Sequence, residues 1–377
     1  MMKKVLTLFM CLSCLLFSGC ARSGAEWVEH IGKLHGRAVR VFTAQSGENG
    51  LAVLSSEPSD YYDRLDTIRA TSDTIFPLRY MGMEMEWMDV SERMAMEKLY
   101  ATKIRSRYSE YSSFGEKTAA FYKQLEKVNK LNVEGVLGGF SLEYVQRLLE
   151  ARGVTAEQYN KLRARNYTAR DIYFMTAEDV VAAAEGNAWG RESDENGKER
   201  VGDWQAEDSY VQRMLQLYGQ RTDYTVVADE NGMARVVESD VNRYAEEYRR
   251  WLEQEAGEWI RKILRNSGYK VWDVPYTNGE LYEVYYNMPI EPALDGYKTH
   301  GDLTLAYLKE KVSLENLRAP FYGFSKKYVQ ERFDALQLTY TEYEIVYDQC
   351  YRADFMATRP DDLVYMTREI LEQDYLR

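Results

Sequence analysis

The octet GFSLEYVQ at Gly139 to Gln146 recurs almost letter for letter as GFSKKYVQ at Gly323 to Gln330, a shift of 184 positions. An internal repeat constrains a fold more tightly than composition does, because whatever unit the first copy builds the second must also build. Three further correspondences fall in the same order. WVEHIGKLHG (Trp27 to Gly36) pairs with YVQRMLQLYG (Tyr210 to Gly219) at 183, ENGLA (Glu48 to Ala52) with ENGMA (Glu230 to Ala234) at 182, and Asp89-Val90 with Asp273-Val274 at 184. Four matches on nearly one offset predict a tandem duplication. The expected units are residues 26–185 and 208–377. Between them, 186–207 reads GNAWGRESDENGKERVGDWQAE, whose Gly, Asn and charge mark a linker.

The repeated letters are helix punctuation. Ser141 and Ser325 stand where a hydroxyl caps a helix starting one residue later, each preceded by a Phe that can pack on the first turns. Downstream, Thr155-Ala156-Glu157-Gln158 and Thr339-Tyr340-Thr341-Glu342 have capping-box spacing, and Gly153 is a helix stop. Asn-Gly at 49–50 and 231–232 lies between alternating apolar runs, which predicts a β-hairpin in each unit. The expected class is α+β and predominantly helical: two homologous units, each with a short helix, a hairpin, a longer helix, a strand at the Asp-Val, and a run of helices. In the second unit YKVWDVPY and ELYEVYYN around Thr277-Asn278-Gly279 predict an additional hairpin that the first lacks.

The N-terminus carries a different message. Lys3 and Lys4 precede an apolar run, Val5 to Phe17, that is too short to span a bilayer, and Phe17-Ser18-Gly19-Cys20 follows. This resembles a bacterial lipoprotein signal, with Phe17 where Leu is usual. The resemblance implies removal of residues 1–19 and lipidation of Cys20, with 20–25 as tether. Several acyl chains, at roughly 0.8 kcal/mol per buried methylene, make such an anchor effectively permanent. The expected location is the cell envelope, the outer membrane where the cell has one. Five residues from Ala21 to Ala25 reach about 17 Å at most, which keeps the first unit close to the membrane. Loss of two lysines with the signal moves the net charge from −12 to −14, which argues against nucleic acid as a partner. Only Cys350 remains as a free thiol, so no intramolecular disulfide is available.

Catalytic groups are sparse. His30 and His35 are five apart on one short helix, poor spacing for a metal, and His300 follows Thr299 at an expected helix start, on the surface or in a capping role. Cys350 lies in an apolar helix face with Tyr343, Tyr347, Tyr351 and Phe355, a packing position. No nucleophile elbow, phosphate loop or zinc spacing occurs, so no catalytic residue, cofactor or metal is expected. The conspicuous ingredient is tyrosine, 31 in 377 residues, an apolar body with a polar tip suited to holding peptides or sugars. Trp272 and Tyr276 on one strand of the additional hairpin, with Tyr282 and Tyr286 on the other, are the candidate binding residues. Their alternative reading is the core side of that sheet.

ADENGMARVVESDVNRYAEEY (Ala228 to Tyr248) resembles the opening of the chaperone region of SurA-type periplasmic folding factors. SKKYVQERFDALQLTYTEYEIVYDQCYRADFMA (Ser325 to Ala357) and SLEYVQRLLEARGVTAEQYNKLRARNY (Ser141 to Tyr167) are similar to its later helices. The parvulin domain usual in that family has no counterpart, since neither a His-Ile-Leu opening nor Gly-Gly-x-Leu-Gly-Trp occurs, so the resemblance implies no isomerase activity. It implies a lipid-anchored module that binds polypeptide clients without catalysis. A scaffold subunit of an envelope assembly, docking fixed protein partners, is the alternative. A glycan-binding or carboxylate-dependent hydrolytic protein is the third reading, and it requires a cleft with two close carboxylates.

Overall fold

The computed structural model describes residues 22–70, 74, 75, 78, 83, 90–104, 111–131, 137–187, 189, 209–221, 224–239, 243–254, 257–271, 276–294, 296–318 and 326–349. Cys20, Trp272, Asp89, Asp273, Val274, Ser325 and Cys350 lie outside them. The chain is predominantly helical, with small antiparallel hairpins.

In the first half α1 (Gly24–Ala38) begins with a capping box between Ser23 and Glu26 and leads into the hairpin β1 (Arg40–Ser46) and β2 (Ala52–Pro58). After a 3-10 turn at Tyr61–Arg64 come α2 (Glu92–Ala101), α3 (Phe114–Leu131), α4 (Leu142–Ala151), α5 (Ala156–Ala164), α6 (Ala169–Phe174) and α7 (Ala177–Glu185). The second half runs α8 (Tyr210–Gly219), β3 (Tyr224–Ala228), β4 (Ala234–Glu238), α9 (Arg243–Gln254), α10 (Gly257–Asn266), α11 (Asn278–Tyr286), β5 (Pro289–Leu294), β6 (Tyr297–Thr299), α12 (His300–Arg318), α13 (Lys326–Leu336) and α14 (Tyr340–Gln349). The expected punctuation is in place: Ser141 accepts from the Tyr144 amide, Thr155 and Gln158 close a capping box, and Thr339 and Glu342 close another. Phe140 is buried against Tyr144, with ring centroids 4.8 Å apart.

The additional hairpin is not formed. Thr277 accepts from the Glu280 amide while Glu280 accepts from the Thr277 amide, so Asn278-Gly279 is the first turn of helix α11. The β-favouring letters that follow misled because propensity yields to burial: Leu281 to Tyr286 are all buried, and a helix surrounded by core is apolar on every side. On a helix Tyr282 and Tyr286 share a face and Val284 does not. Pro289 to Thr299 forms the hairpin of this region instead; of the strands expected at Asp89-Val90 and Asp273-Val274 only Val90 is described, and it lies in no strand, beside the isolated bridge of Arg69 to Ser91.

The last residue of the octet is the clip that holds helix to hairpin. Gln146 on α4 accepts from the Leu54 amide (2.9 Å) and donates to the Ala52 carbonyl (2.9 Å) and to Glu150 (3.1 Å). Gln330 on α13 accepts from the Val236 amide (2.9 Å) and donates to the Ala234 carbonyl (3.3 Å) and to Asp334 (3.0 Å). These are the same bonds 182 to 184 positions on. Elsewhere the shift is 186. The Tyr62 and Tyr100 hydroxyls meet at 3.3 Å in the first half, and those of Tyr248 and Tyr286 meet at 3.3 Å in the second. Thr118 donates to the Phe114 carbonyl and Thr304 to that of His300. Gly115 lies under the Trp27 ring and Gly301 under that of Tyr210, each too close to admit a Cβ. By this register α11 corresponds to α2, whose own cap is Ser91.

The halves interlock. α3 packs along α12, where the Gln124 amide donates to the Glu310 carboxylate at 2.7 Å. The largest core cluster mixes Leu149 and Ile172 of the first half with Ile263 and Leu303 of the second, and Ile104, with Tyr111 and Phe114, joins a cluster of β3, β4 and the α13 region. Trp189, in the stretch expected to be a linker, is buried with the Lys262 ammonium 5.2 Å from its ring centroid.

Candidate functional site

α8, α9, α11 and α12 enclose a pocket of about 390 Å³ lined by Tyr218, Arg221, Tyr244, Glu247, Tyr248, Trp251, Tyr286, Thr304 and Leu308. That volume suits one side chain or a small ligand. Helical spacing assembles the wall: Tyr244, Tyr248 and Trp251 are i, i+4 and i+7 on α9, a helix strongly amphipathic because its apolar residues recur at that period. Tyr218 stacks on Tyr248 at 4.5 Å and 18°, and Tyr248 on Trp251 at 5.8 Å and 24°. Trp251 remains 38% exposed, so the stack runs from the interior to solvent.

The floor is apolar and uncharged. Burial pushes the Tyr248 and Tyr286 hydroxyls well above the ordinary phenol value, so both stay neutral, and they are committed to each other, with Tyr248 also 3.3 Å from the Met214 sulfur. The charges sit at the side. The Arg221 guanidinium lies over the Tyr244 ring, 3.2 Å from its centroid, and pairs with Glu315 at 3.0 Å; Glu247 is exposed. The two close carboxylates that hydrolysis of a glycan would need are not among the described lining residues.

Of the sequence-derived candidates, Tyr286 lines the pocket and Tyr282 backs it, its buried ring 5.3 Å from Trp251 and 5.4 Å from Tyr286. Tyr276 is elsewhere, its carbonyl accepting from Arg261 at 2.8 Å. Tyr218, Tyr244, Tyr248 and Trp251 were not singled out from the sequence; the signal available was the i, i+4, i+7 aromatic spacing in RYAEEYRRW.

At offsets of 183 to 186 from Tyr218, Glu247, Trp251 and Leu308 stand His35, Tyr61, Leu65 and Tyr122. The His35 ring lies 4.9 Å from Tyr62, 5.4 Å from Tyr122 and 5.6 Å from Tyr61, and Tyr62 meets Tyr122 edge-on at 6.3 Å and 88°. Burial lowers the pKa of His35, so it serves as a neutral aromatic ring. Tyr61 donates to Glu92 at 2.8 Å, and burial with that bond pushes its phenol up to about 12.

The remaining buried polar groups hold structure. Glu283 accepts from the Tyr210 and Val211 amides, both at 3.1 Å, and so caps the start of α8. His300 begins α12 as expected, with Thr299 accepting from the Asp302 amide, yet it is fully buried rather than on the surface. Its ring stacks on Tyr285 at 5.1 Å, lies 5.4 Å from Phe174, and has Nδ1 3.4 Å from Arg170. Burial first, then the Arg170 charge, hold its pKa well below the usual value. Among the described residues no group of three His, Cys, Asp or Glu could hold a metal, and no helix is long and apolar enough to cross a membrane. Compared with known proteins, the chain matches no family model, no curated protein and no solved structure.

Proposed function

We propose that the protein is a lipid-anchored, non-catalytic module of the bacterial cell envelope that binds polypeptide, and that its halves are homologous units derived from one ancestor. The observation that carries the binding reading is the aromatic pocket of the second half, standing where the first half is filled by its own side chains. Rigid aromatic walls give contact area at little conformational cost, and the buried phenols of the floor offer no free acid or base for chemistry.

The two-unit reading is supported by the recurring Gln146 and Gln330 clips and by the Gln124 to Glu310 contact. Residues 124 and 310 are counterparts at the shift of 186, and a position that meets its own counterpart is the contact expected near a twofold axis. The anchoring reading rests on the lipobox-like Phe17 to Cys20. The likeness of 228–248 and 325–357 to a chaperone region adds the kind of ligand.

The test is fluorescence anisotropy with labelled unfolded envelope proteins of unrelated sequence. Saturable binding of several of them supports the reading. No interaction with any, together with co-purification of one partner in fixed ratio, replaces it with the scaffold reading.

A further inference from the structure

We propose that the pocket of the second half seats an aromatic side chain of the bound polypeptide, in the place that Tyr122 occupies in the first half. This rests on the polypeptide-binding reading and names the group that is recognised. The chain supplies its own picture of the filled site. Thr118 and Thr304 bond back one turn in the same way, which fixes the register of α3 against α12 and makes Tyr122 and Leu308 counterparts. Tyr122 sends a phenol ring edge-on to His35 and Tyr62. In the second half the same frame stands: the Tyr248 to Tyr286 hydrogen bond repeats that of Tyr62 to Tyr100, and Tyr218 replaces His35. Leu308 carries no ring, and about 390 Å³ is open in front of it. A ring entering there meets Tyr218 and Tyr248, stacked at 18° where His35 and Tyr62 meet at 61°, and gains an aromatic contact favourable beyond its buried area.

The lining also selects against other occupants. Tyr248 and Tyr286 spend their hydroxyls on each other, so the floor offers few hydrogen bonds to a polyol, while it welcomes a flat apolar group. Glu247 and Thr304 line the same pocket and can meet the polar tip of a tyrosine.

Ligand-observed NMR on the mature chain with N-acetyl-L-tyrosinamide tests this. Binding is expected with saturation transfer strongest at the ring protons and about tenfold weaker for N-acetyl-L-leucinamide, the scale of one lost aromatic pair with its buried area. Leu308→Tyr, which closes the pocket from within as Tyr122 does, is expected to abolish it without lowering the thermal midpoint. Should that variant fold poorly, Trp251→Ala removes an exposed wall and is expected to weaken binding several-fold. Equal binding of the two amides, preferential binding of a methyl glycoside, or full binding by both variants overturns the proposal. Unfolded clients that bind while the tyrosine amide does not would sink the aromatic seat and leave the polypeptide-binding module standing. The amide bound through Leu308 with no client bound would do the reverse.

Discussion

Two places carry matching bonds and differ at their centres: around Tyr62 the rings of His35, Tyr61 and Tyr122 crowd together, with His35 at 61° to Tyr62, and around Tyr248, on which Tyr218 is stacked at 18°, a pocket is open. Both have a buried pair of tyrosine hydroxyls 3.3 Å apart, and both have a helix over a bare glycine. The frame is therefore indifferent to whether its centre is solid or hollow. Solidity comes from side chains that leave the frame bonds untouched, which is how a site can be placed on a scaffold without refolding it.

The largest effects should come from the close approaches, because they set where the long helices lie. Gly115→Ala and Gly301→Ala each force a methyl into a ring and should each cost about 1–3 kcal/mol despite the better helix propensity of Ala. Chemical denaturation of both variants checks this. Similar losses would sharpen the comparison, and a large loss at one glycine with none at the other would break it.

Next in size is an asymmetry at the counterparts Phe114 and His300. The depressed folded-state pKa of His300 means that its stability contribution is complete above the unfolded value of about 6.5 and is lost as pH falls below it, because the unfolded chain then binds a proton the folded chain refuses. The slope is up to about 1.4 kcal/mol per pH unit for one such group. His30 and His35 are shifted in the same direction, His30 by burial and then by Arg22 and other cations, and His35 by burial alone. His300→Phe should flatten the loss of stability between pH 6.5 and 5 without removing it. An unchanged slope would mean that His300 is protonated in the fold.

The clips come third. Gln146→Ala and Gln330→Ala each remove an acceptor for a strand amide and a donor to a strand carbonyl, for an expected loss of about 1–2 kcal/mol, with hydrogen exchange rising first at Leu54 in one variant and at Val236 in the other. Exchange that rises at both sites in either variant would indicate that the two hairpins open as one unit.

What the sequence disclosed divides along the same line. Local punctuation was readable because a cap or a hairpin turn is decided within four residues: Ser141, Thr155, Thr339 and both Asn-Gly turns stand as expected. The helix at Asn278–Tyr286 was misread because Thr277-x-x-Glu280 is a local start signal overshadowed by Tyr-Val letters, and because the offset drifts from 182 at the hairpins to 186 at the long helices, which hides Ser91 as its counterpart. Tyr282 and Tyr286 were found for their aromatic character, although they belong to a helix and not to a sheet face. The pocket itself could not be read, since it depends on Leu308 being small where three other helices converge.

The smallest effect concerns the residue that ends α4 and α13. Gly153 and Gln337 are counterparts at the shift of 184, with φ of +64° and +52°, so one unit uses the residue suited to the left-handed region and the other does not. No atom stands within 4 Å of a Cβ built on Gly153, so Gly153→Ala isolates the backbone terms: strain of about 1–2 kcal/mol in the left-handed region, offset by roughly 0.4–1 kcal/mol from a less free unfolded chain. The expected net loss is about 0.5–1 kcal/mol. Gln337→Gly reverses the sign of both terms, so a gain of similar size is expected. Thermal midpoints of the two variants, measured beside the parent chain, test that equality. A gain at Gln337 clearly larger than the loss at Gly153 would mean that the glutamine side chain strains its surroundings as well as its own backbone.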